Sequence, residues 1–247
     1  MFVTMNHVPA TAETGQALEA RFAHRQRLVD RMPGFRSFEV LRPLTGPSHG
    51  APRGSEYLVV TGWDDRASFE AWVNSGQQRP VRPAAAGRLS AADAGSWPTM
   101  HESCETAYSP GWPSAAQQAA PIAVLNIVDV AHDFERVYEE VFRTREGSVE
   151  QQPGFLSLEV LRTVSGGWDG PEADARRAGT TYVVFSRWAS AEAHDAWTRS
   201  EAFRRAHGRR RLPEGAVLKA GIRAFSIVQQ SYSARAAEGG RQAGRPR

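Results

Sequence analysis

The sequence is poor in residues that would tie a chain together covalently or through a metal. One residue of 247 is cysteine, Cys104, which excludes an internal disulfide framework and any cluster built wholly on thiolates. No stretch approaches the roughly 18 consecutive apolar residues of a membrane span. The opening residues, MFVTMNHVPATAE, carry neither a basic segment nor a long apolar run, so they do not read as a secretory leader. His7, His24, His101, His132 and His194 show no paired spacing of the kind zinc sites use. The glycine pair at 166–167 lacks the rest of a dinucleotide fingerprint, and no nucleophile elbow is present. These absences predict a soluble, cytoplasmic globular protein without a membrane partner.

Charge of one sign is also missing from most of the chain. The eleven arginines of 1–120 balance eleven acidic residues, and the formal excess of +3 resides in 235–247, where four arginines face Glu238 alone. A Gly/Ala/Arg segment of this kind buries too little apolar surface to order itself, so 231–247 is expected to be a disordered basic tail. The body of the chain gives nucleic-acid binding no support.

What the sequence does have is an internal repeat. Met32-Pro33-Gly34-Phe35-Arg36-Ser37-Phe38-Glu39-Val40-Leu41-Arg42 returns 120 residues later as Gln152-Pro153-Gly154-Phe155-Leu156-Ser157-Leu158-Glu159-Val160-Leu161-Arg162. The same offset relates Asn6 to Asn126. Tyr57, Trp63, Trp72 and Ser75 match Tyr182, Trp188, Trp197 and Ser200 at an offset of 125, so the second copy gains five residues in the Gly- and Pro-containing stretch between the blocks.

Each copy reads as β-α-β-β-α-β. The predicted strands are 2–8, 35–42, 56–63 and 100–108 in the first copy, and 122–130, 155–164, 180–188 and 216–228 in the second. The predicted first helices run over 12–31 and 132–151, ended by Pro33-Gly34 and Pro153-Gly154. In the second of these Phe134, Val137, Tyr138, Val141 and Phe142 form one apolar stripe. Asp64 or Asp65, and Ser190, are placed to cap the second helices. The predicted class is α+β, with tandem ferredoxin-like domains at 1–110 and 121–230. Their sheets pack face to face as a pseudo-dimeric α+β barrel, because each open sheet face needs a cover. Edge strands leave further homo-oligomerisation open.

On the residues just quoted, the chain resembles a tandem member of the antibiotic biosynthesis monooxygenase superfamily. Its second copy is similar to the bacterial haem-degrading monooxygenases through Asn126, the Gln-Pro-Gly-Phe turn at 152–155 and the segment Ala196–His207. The resemblance implies a haem pocket in which His207 is the iron ligand, Trp197 a wall that distorts the macrocycle, and Asn126 the polar contact near oxygen. Arg204 and Arg205 would suit the haem propionates. Ring opening would then use O2 and an electron donor. In the first copy Asn6 and Trp72 persist, but Arg82 stands where the histidine is expected, so a usable site is expected in the second copy alone. The superfamily also contains cofactor-independent monooxygenases acting on aromatic polyketides such as quinols or anthrones, for which Asn126 and Trp197 would bind substrate. A third reading is a non-catalytic small-molecule or haem-binding module.

Each site residue has a plainer reading. His207 sits in a basic run and fits a solvent-facing helix end as well as an axial ligand. Trp197 fits the core between helix and sheet. Asn126, in the apolar strand AVLNIVDV, needs a polar partner in either case.

Overall fold

Strands form where the sequence carries its apolar blocks. The computed structural model describes residues 1–10, 12–44, 56–77, 100–109, 121–144, 149–165, 178–208 and 212–233. In the first copy these build β1 (Phe2–Pro9), α1 (Ala12–Ala23), β2 (Phe35–Pro43), β3 (Glu56–Trp63), α2 (Arg66–Asn74) and β4 (Met100–Tyr108). The second copy supplies β5 (Ile122–Ala131), α3 (Glu135–Arg143), β6 (Phe155–Ser165), β7 (Gly179–Trp188), α4 (Ala191–Arg199), α5 (Glu201–Gly208) and β8 (Val217–Tyr232). The expected tail lies outside the described residues, apart from the end of β8 and Ser233.

The eight strands close into one antiparallel barrel in the order β1-β3-β2-β8-β5-β7-β6-β4. The fourth strand of each copy lies between its own first strand and the second strand of the other copy: β4 between β1 and β6, β8 between β5 and β2. The two sheets therefore do more than face each other. They are hydrogen-bonded together along both seams, which leaves no sheet edge along these seams.

Alternation along the strands produces three apolar layers. Val3, Met5, Leu58, Val60, Leu125, Val183 and Phe185 fill the barrel interior with residues from both copies. Their neighbours in sequence point outward beneath the helices, Phe2, Val59 and Trp63 in one copy and Val124, Val184 and Trp188 in the other. The repeat extends to the packing. The Trp63 indole N–H donates to Thr61 Oγ1 at 2.9 Å, and that of Trp188 donates to Ser186 Oγ at 3.1 Å. Tyr57 and Tyr182 donate their hydroxyls to Glu19 and Glu139 on the first helices, at 2.6 and 2.9 Å. Burial and the neighbouring carboxylate push both phenols well above the usual tyrosine range, so each stays a donor.

The first helices are shorter than the sequence predicts. α1 stops at Ala23, and Arg27, at φ 52°, separates it from a single 3-10 turn over Val29–Arg31. α3 follows a 3-10 turn at His132–Phe134 and ends at Arg143, where Thr144 leaves helical geometry and turns its hydroxyl to the Glu140 carbonyl. Of its predicted stripe, Tyr138 is buried but Val137 is exposed. Pro33-Gly34 and Pro153-Gly154 do not end these helices. They occupy the middle of hydrogen-bonded turns, Phe35 N–H to Met32 O and Phe155 N–H to Gln152 O, both 3.1 Å, with the glycines at φ 76° and 79°. Proline followed by a positive-φ glycine is the type II pattern. The caps fall as expected: Asp65 accepts from Ser68 N–H and Ser190 from Ala193 N–H.

One charged cluster is sealed in the interior. Arg187 of β7 donates through Nε and Nη2 to both oxygens of Glu39 at 2.8 and 2.7 Å, and through Nη1 to Glu159 at 2.7 Å and Ser157 at 3.1 Å. Burial works against the guanidinium charge, but the two carboxylates hold it firmly protonated. Removing one member of such a group leaves an uncompensated buried charge. Arg187→Ala is therefore expected to lower unfolding free energy by about 3–5 kcal/mol, measured by urea denaturation, whereas Arg162→Ala at the exposed Glu105 pair should change it by less than about 1 kcal/mol.

Candidate functional site

The outer face of the second copy brings two of the sequence-predicted residues, Asn126 and Trp197, into one layer. Asn126 lies on β5 opposite Val184 and Ile222. Its strand neighbours Val124 and Val128 pack in the helix-side cluster that also contains Trp197, and alternation puts Asn126 on that face. The side chain is half-buried and, among the described residues, has no hydrogen-bond partner, whereas Asn6 in the first copy is engaged with a neighbour. A half-buried amide without a protein partner is available to a ligand or to water.

Trp197 is buried on α4 and lines a cleft of about 280 Å3 with Gln152, Pro153, Gly154, Ala193 and Ala196. The floor depends on Gly154: a Cβ there would lie 2.6 Å from Ala193 Cβ, so only glycine lets the turn approach α4 this closely. The Trp197 indole stacks on Trp188 at 6.4 Å and meets the edge of Phe203 at 5.4 Å.

The segment carrying the histidine is not one helix with Trp197. Ser200 is extended (ψ 156°), and its hydroxyl accepts from Phe203 N–H at 3.0 Å, starting α5 as a separate helix. On α5, Phe203 stacks on His207 with ring centroids 3.9 Å apart. A ladder of rings thus runs Trp188–Trp197–Phe203–His207 from the core to the surface. His207 Nδ1 is 2.9 Å from the Phe203 carbonyl oxygen, which can only accept, so Nδ1 carries a proton, and of the two neutral tautomers the contact selects the one with its lone pair on Nε2. Arg204, Arg205 and His207 are exposed, and none of them lines the cleft. The structure therefore places Asn126 and Trp197 in one layer, joins His207 to Trp197 through Phe203, and leaves the two arginines exposed outside the cleft lining.

The first copy differs at these positions. α2 ends at Asn74, Trp72 is half-buried, and Arg82 lies outside the described residues. His194, buried against Trp188 at 5.5 Å, takes the place that Phe69 fills against Trp63.

The model of the antibiotic biosynthesis monooxygenase family matches residues 1–83 and again 121–209. The chain belongs to this family, twice over. Among curated relatives of this family member, the heme oxygenase (mycobilin-producing) of Mycobacterium tuberculosis is 40% identical over 72 residues, 29% of this chain and 62% of that protein. A heme-degrading monooxygenase of Halalkalibacterium halodurans is 37% identical over 68 residues, 28% of this chain and 50% of that protein. The chain thus spans half to three-fifths of these relatives' length. The crystal structure of an anthrone oxidase-like protein shares the fold over 94% of this chain and 93% of its own, at a TM-score of 0.55 and 16% identity. No helix among the described residues is long and apolar enough to cross a membrane.

Sequence reasoning missed Phe203 and Ser200. The signal was present, since Ser200 stands three residues before Phe203 as a cap, and Phe203 stands one helical turn before His207. It also read the 152–154 turn as punctuation, although the turn forms part of the cleft wall. Gly154→Ala should destabilise the protein by about 1–3 kcal/mol, from left-handed backbone and overpacking, and should widen the contact of α4 with the turn. Thermal unfolding and ligand titration on the same variant check both effects.

Proposed function

We propose that this chain is a monooxygenase whose second copy binds haem as substrate. The carrying observation is the His207 imidazole, whose Nδ1–H is fixed on the Phe203 carbonyl so that Nε2 is free to ligate iron. The donor set fits the group: an imidazole for the metal, exposed Arg204 and Arg205 for carboxylates, and an indole wall for a flat aromatic face. The M. tuberculosis and H. halodurans relatives support the same reading. Bound haem would supply the iron that activates O2, with electrons from an external donor.

The chain's own residues do the positioning. Trp197, held between Trp188 and Phe203, cannot yield to a macrocycle pressed against it. Asn126 offers on the same face an amide that has no hydrogen-bond partner among the described residues. Arg204 and Arg205 pair with propionates at the rim, where water screens them, so each adds modest affinity. The first copy completes the barrel without a matching imidazole among its described residues.

A second reading is favoured by one observation, the small size and apolar walls of the cleft beside Trp197. A cofactor-independent oxygenation of an aromatic polyketide would use Trp197 and Asn126 and leave His207 idle. In that reaction the ionised quinol or anthrone reacts with O2 directly.

Titration of purified protein with haemin separates the two. The haem reading expects a Soret band saturating at about one haem per chain with micromolar affinity or better. His207→Ala should remove the band, Trp197→Ala should lower turnover at least about tenfold, and Trp72→Ala should leave binding unchanged. Absence of binding at micromolar haemin overturns the haem reading, and anthrone turnover that survives His207→Ala establishes the second.

A further inference from the structure

The interior ion cluster is asymmetric, and the asymmetry can be traced atom by atom. The offset of 120 relates Ser37 to Ser157 and Glu39 to Glu159, while the offset of 125 relates Gly62 to Arg187. Both carboxylates and both serines are thus repeated, and the arginine is not. Position 62 lies on the interior face of β3, two residues beyond Val60 in the interior cluster, just as Arg187 lies two beyond Phe185 on β7.

Arg187 serves the serine and glutamate of its own copy, Ser157 and Glu159, and grips Glu39 of the other copy through two donors. An arginine at 62, related by the repeat, would serve Ser37 and Glu39 and grip Glu159 through two donors. Among the described residues, the buried polar atoms without a partner include Ser37 Oγ and Glu159 Oε1, both groups that this second guanidinium would have served. Glu39 by contrast accepts from Arg187 at both oxygens and also from Tyr232 OH at 2.9 Å.

We propose that Glu159 is protonated in the folded barrel at neutral pH, a proton taking the place of the absent arginine, so that the joint between the two copies loosens as pH rises. Two carboxylates and one guanidinium cannot all be charged in a sealed space without a net buried charge, which is costly. Glu39 is met by three donors, whereas Glu159 has one donor and an orphaned oxygen, so the proton falls to Glu159. Burial raises the Glu159 carboxyl, Arg187 opposes this in part, and the Glu39 charge raises it further.

The titratable groups facing Glu159 are Arg187 from β7, Glu39 from β2 and Tyr232 from β8. On β4, Cys104 faces the interior beside Thr163, and Glu105 is exposed and turned to Arg162. The other interior ion group, His7 with Glu56 and Arg223, is internally paired.

The sign follows from proton linkage. A carboxyl raised on folding binds a proton that the unfolded chain releases, so its contribution is complete below the ordinary value of 4.5 and declines as pH rises toward the folded value. Within that window the folding equilibrium constant falls about tenfold per pH unit relative to a variant lacking the group. Infrared spectroscopy of the full chain at neutral pH should show the C=O stretch of an un-ionised carboxylic acid, and Glu159→Gln should remove it. Denaturant unfolding between about pH 5 and pH 9 should show Glu159→Gln losing less stability than the wild type as pH rises. Gly62→Arg should abolish the acid band by ionising Glu159. A wild-type spectrum lacking the band, or pH slopes identical in wild type and Glu159→Gln, overturns the proposal even if Gly62→Arg does not fold.

Discussion

Arg187 is the point at which the two copies become one structure. Its guanidinium holds Glu39 on β2 and Glu159 on β6 at hydrogen-bond distance, and these two strands receive the fourth strand of the opposite copy. A buried charge of this kind adds little net stability over a well-packed apolar group, but it tolerates very few alternative arrangements. It also sets register. Trp188, the next residue, points outward to stack on Trp197, so a slip of one residue on β7 would put the indole into the barrel and the guanidinium under the helices. The interior ion cluster and the outer aromatic wall are held in place by the same strand.

Much of the fold was legible because it is written twice. The repeated Pro-Gly-Phe turn, Ser-x-Glu-Val-Leu-Arg strand and strand Trp place elements by comparison of the copies, and the strand ends fall within a few residues of expectation. The helix ends were harder. Arg27 adopts positive φ without being glycine or asparagine, and nothing in its type announces that α1 is already over. The break at Ser200 was hidden for a different reason: the segment is helical in composition on both sides, and a single serine hydroxyl decides where one helix stops and the next begins. Arg187 was overlooked because an arginine in a strand usually faces water, and its burial depends on two glutamates that are distant in sequence.

The copies share a barrel and differ in what they build on its outer face. In the first, Phe69 fills the space against Trp63 and α2 ends near Trp72. In the second, His194 takes the Phe69 position, Asn126 has no hydrogen-bond partner for its side chain among the described residues, and α5 extends the aromatic ladder to a surface imidazole. Barrel closure constrains the interior of both copies equally, whereas the outer faces are covered separately by their own helices. Divergence is therefore cheapest on the outside, where the cleft lies.

The seams have a consequence for how such a molecule can change. Were the halves separate identical chains, any substitution in one would appear in both, and glycine at the Arg187 position would leave Glu39 and Glu159 with no guanidinium between them. With both halves in one polypeptide, each of two equivalent positions can be altered alone. Among the described residues, the Glu39–Glu159 pair here shares one arginine where strict twofold symmetry permits only none or two. Covalent linkage gives the described part of this barrel odd numbers: one guanidinium between two carboxyl groups, one orphaned carboxyl oxygen and one ring ladder ending on an imidazole, none of which a symmetric pair can possess.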